Sequence, residues 1–473
     1  MDSVVAEHFG PDVAAHIQSL EDAWGRRAPM AVHHAPQRQL SQFDVDVLQV
    51  GGGPAVLHAL GLRRGGLRVA VADRRRVGCA HREWNISGPE LRPLVDSGVV
   101  DEATLQRLVV NRYRAGFVQW HGGPRRMVHN VLDHAVDATA LMEHLRATAQ
   151  AWGVTLLDGH AWVDLTVCHN GVVAGFNHGG ARVEVVARLL LDATGSGTPF
   201  GEFDLVCPTV GAVLSGLEEG DAPDQVDPGI GEILVSLDDA RDGVQHIWEG
   251  FPGAQGTFTA YLFHYAEPQQ LPQRPLSTLF ERFFEQLPRY KRGHALPLRP
   301  TYGFIPSHTR LRPAVVSPAN HVVLVGDAAG RLNPLTFCGF GSLVRSFRGT
   351  VRGVEEALDN GRTSQAQLQA LWKDPQQLGL MGALALMMVD RGAWRTDPHG
   401  VNRLLDAAFA QLESDGPEVF GRFLRDEATV GAVLAFMLRT SRRHPAIFRE
   451  VLATLTPAEM GTWAWRALQG ATG

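Results

Sequence analysis

Lysine is all but missing from this 473-residue chain. Of 44 basic residues only Lys291 and Lys373 are lysine, a bias that reads as genome composition rather than function. Acidic residues number 50 and the formal net charge is -6, so no basic face for a phosphate backbone is expected and nucleic acid is excluded as a partner. Cysteine is scarce too. Cys79, Cys168, Cys207 and Cys338 show no C-x-x-C spacing, and no Cys/His cluster has zinc spacing, which points to a reduced, cytoplasmic protein without a structural metal. The segment Met1–His8 has neither the basic nor the apolar region of a signal peptide. No apolar run approaches the ~20 residues of a membrane span. What remains, 45% hydrophobic and 20% charged, is an ordinary globular composition with room for two or three domains.

The chain is organised around Asp44–Ala55. Alternating Val and Leu up to Val50 predict a short buried strand, Gly51, Gly52 and Gly53 turn the backbone, and Pro54-Ala55 leads into Val56–Leu62 with helical spacing. Strand, glycine turn and helix make a phosphate cradle, in which glycine lets the backbone approach a pyrophosphate and the helix N-terminus supplies N–H groups. The dinucleotide fingerprint wants Gly or Ala where Val56 stands, so helix and strand are expected to sit slightly apart. The next strand, Leu67–Ala72, ends at Asp73, the place of a carboxylate that binds a ribose hydroxyl.

Residues 1–26 read as short amphipathic helices, and Ala28–Gln42, with its prolines and His33-His34, as a linker. Arg74-Arg75-Arg76 is a solvated face from which one arginine could reach a cofactor phosphate. Arg82-Glu83-Trp84-Asn85-Ile86-Ser87 packs charge, aromatic and amide together where a functional loop is expected, although a Trp-anchored loop with an ion pair fits as well. A helix over Ala138–Trp152 precedes a strand at Val154–Leu157. A hairpin follows over Ala161–Cys168 and Val172–Phe176, with its turn at Asn170-Gly171, then a strand, Ala187–Asp192, entering Ala193-Thr194-Gly195. That is the layout of two-dinucleotide-fold flavoproteins. Between residues 200 and 300, Gly231–Leu237, Val244–Phe251 and Thr257–Tyr265 predict an antiparallel sheet covering a pocket.

His321–Val325 is a further strand, ending at Gly326-Asp327, where the carboxylate can accept from a ribitol hydroxyl. Pro334 and Gly339-Phe340-Gly341 lead into a helix, Ser342–Leu358, whose N-terminal dipole would favour negative charge on a reduced flavin. Taken in order with Gly51, Gly53 and Asp73, these segments imply FAD. The candidate cofactor-binding residues are Gly51, Gly53, Pro54, Asp73, Arg82, Val163, Gly326, Asp327, Pro334, Gly339 and Phe340.

The fold class expected is therefore α/β: a Rossmann-like FAD-binding domain, an inserted antiparallel-sheet substrate domain and a helical C-terminal region. The divisions are 1–43 for the N-terminal segment and linker, 44–80, 131–200 and 300–360 for the FAD-binding domain, 81–130 and 201–299 for the substrate domain, and 361–473 for the helical region. In the last, Leu378–Val389 and Val430–Leu438 are apolar runs too short to span. Each fits a buried core helix, or a monotopic contact with Arg439, Arg442 and Arg443 on headgroups. Trp463-Ala464-Trp465 matches half of the W-x-W-x-I-P of flavin halogenases, without the Ile-Pro and at the wrong end of the chain.

Arg82–Ser87, Phe203–Gly211, Trp248–Pro252 and Gly326–Gly330 with Pro334–Gly341 resemble the CruA/CruP-type lycopene cyclases, FAD proteins of the lycopene cyclase and geranylgeranyl reductase flavoprotein superfamily. The resemblance covers roughly residues 44–360. It implies a redox-neutral cyclisation of a carotenoid end group, lycopene to gamma- or beta-carotene, with reduced FAD, NAD(P)H as an indirect reductant, a hydrophobic carotenoid substrate and a peripheral contact on the cytoplasmic membrane face. Such chemistry needs an acid that stays protonated near neutral pH, and a carboxyl buried among aromatics meets that need. Glu249, between Trp248 and Phe251, is the first candidate catalytic residue, and Glu83, beside Trp84, the second. The alternative for Glu249 is a strand-end carboxylate paired with an arginine or capping a turn. Plant-type cyclases carry Phe-Leu-Glu-Glu-Thr, whereas the comparable strand here, Thr257–Phe263, has no carboxylate, so the acid does not carry over from that branch. An FAD-dependent prenyl or carotenoid reductase, an NAD(P)H-dependent hydroxylase and a pigment-binding protein without turnover are the rival readings. The sequence leaves the oligomeric state open.

Overall fold

The computed structural model describes residues 4–25, 30–80, 82–201, 203–254, 256–309, 315–330, 332–336, 338–371, 380–382, 384–391, 397–447 and 455–471. Its first sheet has eight strands. They run in the order Ala31–Ala35, Ala161–Cys168, Val172–His178, Ala181–Asp192, Val45–Val50, Val69–Ala72 and Thr155–Leu157, with Val322–Leu324 also paired to Ala181–Asp192. The parallel strands are apolar on both faces because both faces are covered, as parallel sheets require. Val56–Arg64, Ala138–Ala151 and Gly339–Asp359 pack on one side, with Val47, Leu60, Leu145, Val323 and Phe347 in a common core. Register fixes where the strands stop: Val50 is level with Ala72 and Asp192, and Asp192 with Leu324. Gly51, Asp73, Ala193 and Val325 therefore leave the sheet along one edge, the carboxyl edge at which open α/β sheets bind ligands.

One expectation is corrected here. Ala28–Gln42 is not merely a linker: Ala31–Ala35 is an edge strand, paired in parallel with Asp164–Cys168. The His-rich sequence hides it, because an edge strand with His33 and His34 exposed needs no apolar face. Val56 is wholly buried, and at Gly61 the same helix packs closely on helix Gly339–Asp359, where a Cβ would lie 2.7 Å from Val351.

The second sheet has seven strands, in the order Gly293–Ser307, Leu205–Leu217, Thr257–Phe263, Ile247–Pro252, Ile230–Val235, Ala115–Gln119 and Arg126–Val128. It is antiparallel except between Ile230–Val235 and Ala115–Gln119. The pleat sorts its side chains. Val206, Val210, Trp248, Ala260 and Leu262 pack against helix Leu276–Tyr290 and the N-terminal helices Val4–Phe9 and Pro11–Gly25. Residues of the opposite parity, Cys207, Thr209, Glu249, Tyr261, Phe263 and Ile305, face a cavity. On the helix side Lys291 is fully buried, ion-paired with Glu232 and donating to the Gln225 carbonyl at 3.0 Å.

A small third sheet, Trp84–Ile86, His134–Val136 and Val109–Arg112, joins the two layers. The C-terminal region contributes helices Gly400–Asp415, Pro417–Leu424, Val430–Arg443 and Pro457–Ala471. Part of the Leu378–Val389 run lies outside the described residues. Among the described residues no helix is long and apolar enough to cross a membrane.

Candidate functional site

The glycine turn is built by close contacts. Gly51 has φ +109°, and a Cβ there would sit 2.3 Å from the Ala193 carbonyl oxygen. At Gly52 a Cβ would sit 2.8 Å from the Val77 backbone, while at Gly53 nothing lies within 4 Å. The first two glycines are thus required by the fold, and the third leaves an open approach to the backbone. Asp73 braces the turn: one carboxylate oxygen accepts from the Gly52 N–H at 2.8 Å and the other from the Arg75 N–H at 2.8 Å.

From this turn a cavity of about 1220 Å³ runs to the second sheet. That exceeds the roughly 300–1,000 Å³ of most ligand pockets, so it has room for a dinucleotide and a second molecule. Gly51, Gly53, Pro54, Asp73, Arg82, Gly326, Asp327, Gly339 and Phe340 all line it, as do Glu83 and Glu249. Two candidates fall outside this set. Pro334 is buried behind the wall. Val163 is 42% exposed, because the hairpin register shifts between Trp162 and Asp164 and brings Trp162 to the cavity in its place. Burial raises the Asp327 carboxyl, and Arg82 opposes that rise. Burial also raises Asp192, beneath the Ala193-Thr194-Gly195 turn, which accepts from the hydroxyls of Thr194 and Thr198 at 2.6 Å each.

The two candidate acids sit in different surroundings. Burial pushes the Glu249 carboxyl up to about 7, against a hydrogen bond from the Asn85 amide, whose Nδ2 donates to Oε1 at 2.9 Å. Of the aromatics beside it in sequence only Phe251 shares its face. Trp248 points through the sheet to Tyr290 and Phe283, with ring centroids 4.3 and 5.3 Å away. Glu83 is also raised by burial, but its Oε1 lies 2.5 Å from the Arg299 guanidinium, which favours the ionised form. An ion-paired carboxylate is a poor proton donor, and of the two carboxyls Glu249 has the surroundings that favour the protonated form more.

Several wall residues were not singled out from the sequence. Tyr261 stands level with Glu249 on the next strand. Its hydroxyl accepts from the Glu83 N–H at 2.7 Å and donates to the Glu83 carbonyl at 2.8 Å. Cys207, buried and raised to about 12 by that burial, and the partly exposed Cys338 line the same space as neutral thiols. Helix Pro11–Gly25 adds His16, Leu20 and Trp24 to the wall. Trp24 packs on Phe304 at 5.0 Å, and His16 hydrogen-bonds the Tyr302 hydroxyl at 2.6 Å. Register with Ile247–Pro252, which no local pattern gives, is what puts Tyr261 on the Glu249 face. Nothing local announced the N-terminal helix as part of the site. Behind the cavity, Arg345 of helix Gly339–Asp359 pairs with Glu90 and, at 3.2 Å, with Asp426 of the C-terminal region.

The fold is that of a Rossmann-like FAD-binding flavoprotein, with a second sheet beside the nucleotide domain and a helical C-terminal region. Among solved structures it is similar to a geranylgeranyl bacteriochlorophyll reductase-like protein (Ta0516) from Thermoplasma acidophilum, with a TM-score of 0.63 and 16% identity over 90% of this chain and 100% of that one. It is similar also to the halogenase PltM, with a TM-score of 0.58 and 12% identity over 90% of this chain and 96% of that one. A flavoprotein/dehydrogenase from Cytophaga hutchinsonii aligns with a TM-score of 0.53 and 15% identity over 84% and 99%. PltM has also been seen in complex with phloroglucinol and FAD. No family model and no curated protein matches the sequence.

Proposed function

We propose that the protein binds FAD and, with the cofactor reduced, catalyses acid-driven cyclisation of a carotenoid end group without net electron transfer. The observation that carries the reading is Glu249: a carboxyl protonated to about pH 7 in a cavity that also reaches the glycine turn. The glycine turn supports FAD as the cofactor, because the Gly53 backbone is open to a pyrophosphate and would be blocked by a side chain. Bound and reduced, FAD supplies negative charge that stabilises a nearby cation.

The protein's own residues do the rest. Glu249 donates its proton to a terminal alkene carbon, so an O–H bond breaks and a C–H bond forms. The tertiary cation closes on a neighbouring double bond. Tyr261, Phe263, Phe251 and Ile305 provide or back an apolar wall that keeps water away. Return of a ring proton to the Glu249 carboxylate restores the acid, so atoms and electrons balance. An alkene is so weak a base that an acid ionised at neutral pH would not serve.

The fold likeness to a reductase-like protein favours one second reading, FAD-dependent hydride transfer to a prenyl or carotenoid chain. The mass of the product made from lycopene in liposomes separates them, using purified protein, FAD and reductant without oxygen. Cyclisation leaves the mass unchanged and alters the polyene spectrum. A gain of hydrogen, with reductant consumed in step, would replace the cyclase reading with the reductase one.

A further inference from the structure

A glutamate side chain has three rotatable bonds, and an acid that must protonate one carbon needs one oxygen held still. The stretch Glu83-Trp84-Asn85 does this through a closed circuit of contacts. Glu249 is level with Tyr261 on the neighbouring strand. The Tyr261 hydroxyl clamps both backbone groups of Glu83. Two residues on, Asn85 sits in a strand paired with His134–Val136, level with Ala135, and its amide returns to Glu249 Oε1 at 2.9 Å. Oε2 has no hydrogen-bond partner among the described residues, and Glu249 lines the cavity.

We infer that Asn85 is the positioning residue of Glu249: its amide holds Oε1 as an acceptor, so that the acidic proton resides on Oε2 and is delivered from there into the cavity. This rests on the reading of Glu249 as the proton donor. The same Nδ2–H···Oε1 bond serves both halves of the cycle. In the neutral acid Oε1 is the carbonyl oxygen and accepts. After proton transfer the group is a carboxylate, and the same donor stabilises its charge. No amide flip is needed between the two states. Asn85 thus also limits how far burial raises the carboxyl. The other titratable groups around Glu249 are Tyr261, Tyr113, Tyr290, Cys207 and Cys338, each held neutral by burial. Beyond them Arg82 and Glu83 act on Tyr261, Asp133 on Tyr113, and Glu232 on Tyr290.

The test is the protonated-carboxyl infrared band of Glu249 in the FAD-loaded protein, isolated as the wild-type spectrum minus that of E249Q and followed across the neutral pH range. In Asn85→Leu, which removes the donor at similar size, the midpoint is expected to rise by about one pH unit. Turnover should fall about tenfold at fixed KM, with its alkaline limb moved up to match. Asn85→Ala, smaller and also without the donor, gives the same readout should the leucine variant fail to fold. An unmoved midpoint in either folded variant, with E249Q inactive, overturns the role of Asn85 and leaves Glu249 as the acid. An E249Q protein with full turnover overturns both, whatever the infrared band does.

Discussion

Trp84 stacks on Phe340 with ring centroids 4.5 Å apart and planes 11° apart. The pair joins the short strand that carries Asn85 to the first turn of helix Gly339–Asp359, so the Asn85–Glu249 hydrogen bond and the Gly339-Phe340 end of the cavity share one aromatic contact. Replacing Trp84 by Ala removes a half-buried indole and its stacking contact with Phe340. The expected loss is about 2–3 kcal/mol in urea unfolding, below the full core value because the ring is partly exposed. Trp84→Phe should retain most of the stability. A loss under ~1 kcal/mol for the alanine variant would mean the stack does not couple the two elements.

The first and third glycines of the turn should behave differently. At Gly51 a methyl group meets the Ala193 carbonyl and the backbone has φ +109°, so Gly51→Ala should destabilise the apoprotein itself. At Gly53 a methyl group meets nothing, so Gly53→Ala should melt like wild type without cofactor. It should nevertheless bind FAD at least about tenfold more weakly, since the added carbon occupies the approach to the pyrophosphate. Flavin titration by fluorescence quenching, beside apoprotein melting curves, reads both effects. Equal FAD affinity in Gly53→Ala and wild type would place the phosphates elsewhere.

Glu249 makes stability depend on pH in a definite direction. Its carboxyl titrates at about 7 in the folded protein against an ordinary 4.5. Between those values the folded state holds a proton that the unfolded chain has released, so stability falls as pH rises and stays lower above about 7. The gap corresponds to at most about 3 kcal/mol. E249Q carries no such loss. Its unfolding free energy should match wild type near pH ~4 and exceed it near pH ~8. A difference that does not change with pH would show that Glu249 titrates normally.

The buried pair Lys291–Glu232 is expected to fail asymmetrically. Lys291→Met leaves Glu232 buried beside Tyr290 without its cation, at a cost of about 3–5 kcal/mol in chemical unfolding. Replacing both partners, Lys291→Met with Glu232→Leu, should recover most of that loss, because two buried charges vanish together. If the double variant is as unstable as the single, packing rather than charge holds this position.

Val45–Val50, Val69–Ala72 and Val322–Leu324 were legible because each is a short apolar run followed closely by a glycine or a carboxylate, and Gly51, Asp73, Gly326 and Asp327 mark those ends. Glu249 could be placed on a strand, but not Asn85 opposite it, since the two are 164 residues apart and no local pattern encodes the pairing. Trp162 and Val163 exchange roles at a register shift that periodicity cannot foresee. Gly293–Ser307 carries Pro297, Pro300 and Pro306 and so reads as a broken segment. It is tolerated as a long strand because it lies at the edge of its sheet.

Helix Pro11–Gly25 packs on the second sheet, strand Ala31–Ala35 extends the first, and Trp24 completes the cavity wall against Phe304. A chain trimmed to start at Asp44, the apparent beginning of the flavin fold, would keep the glycine turn and Asp73 yet leave a window in the side of the cavity. Bulk water would then reach the space that Glu249 and Tyr261 face. On the cyclisation reading proposed above, such a trimmed protein would shed part of its selectivity before its cofactor, and its products would include alcohols beside rings.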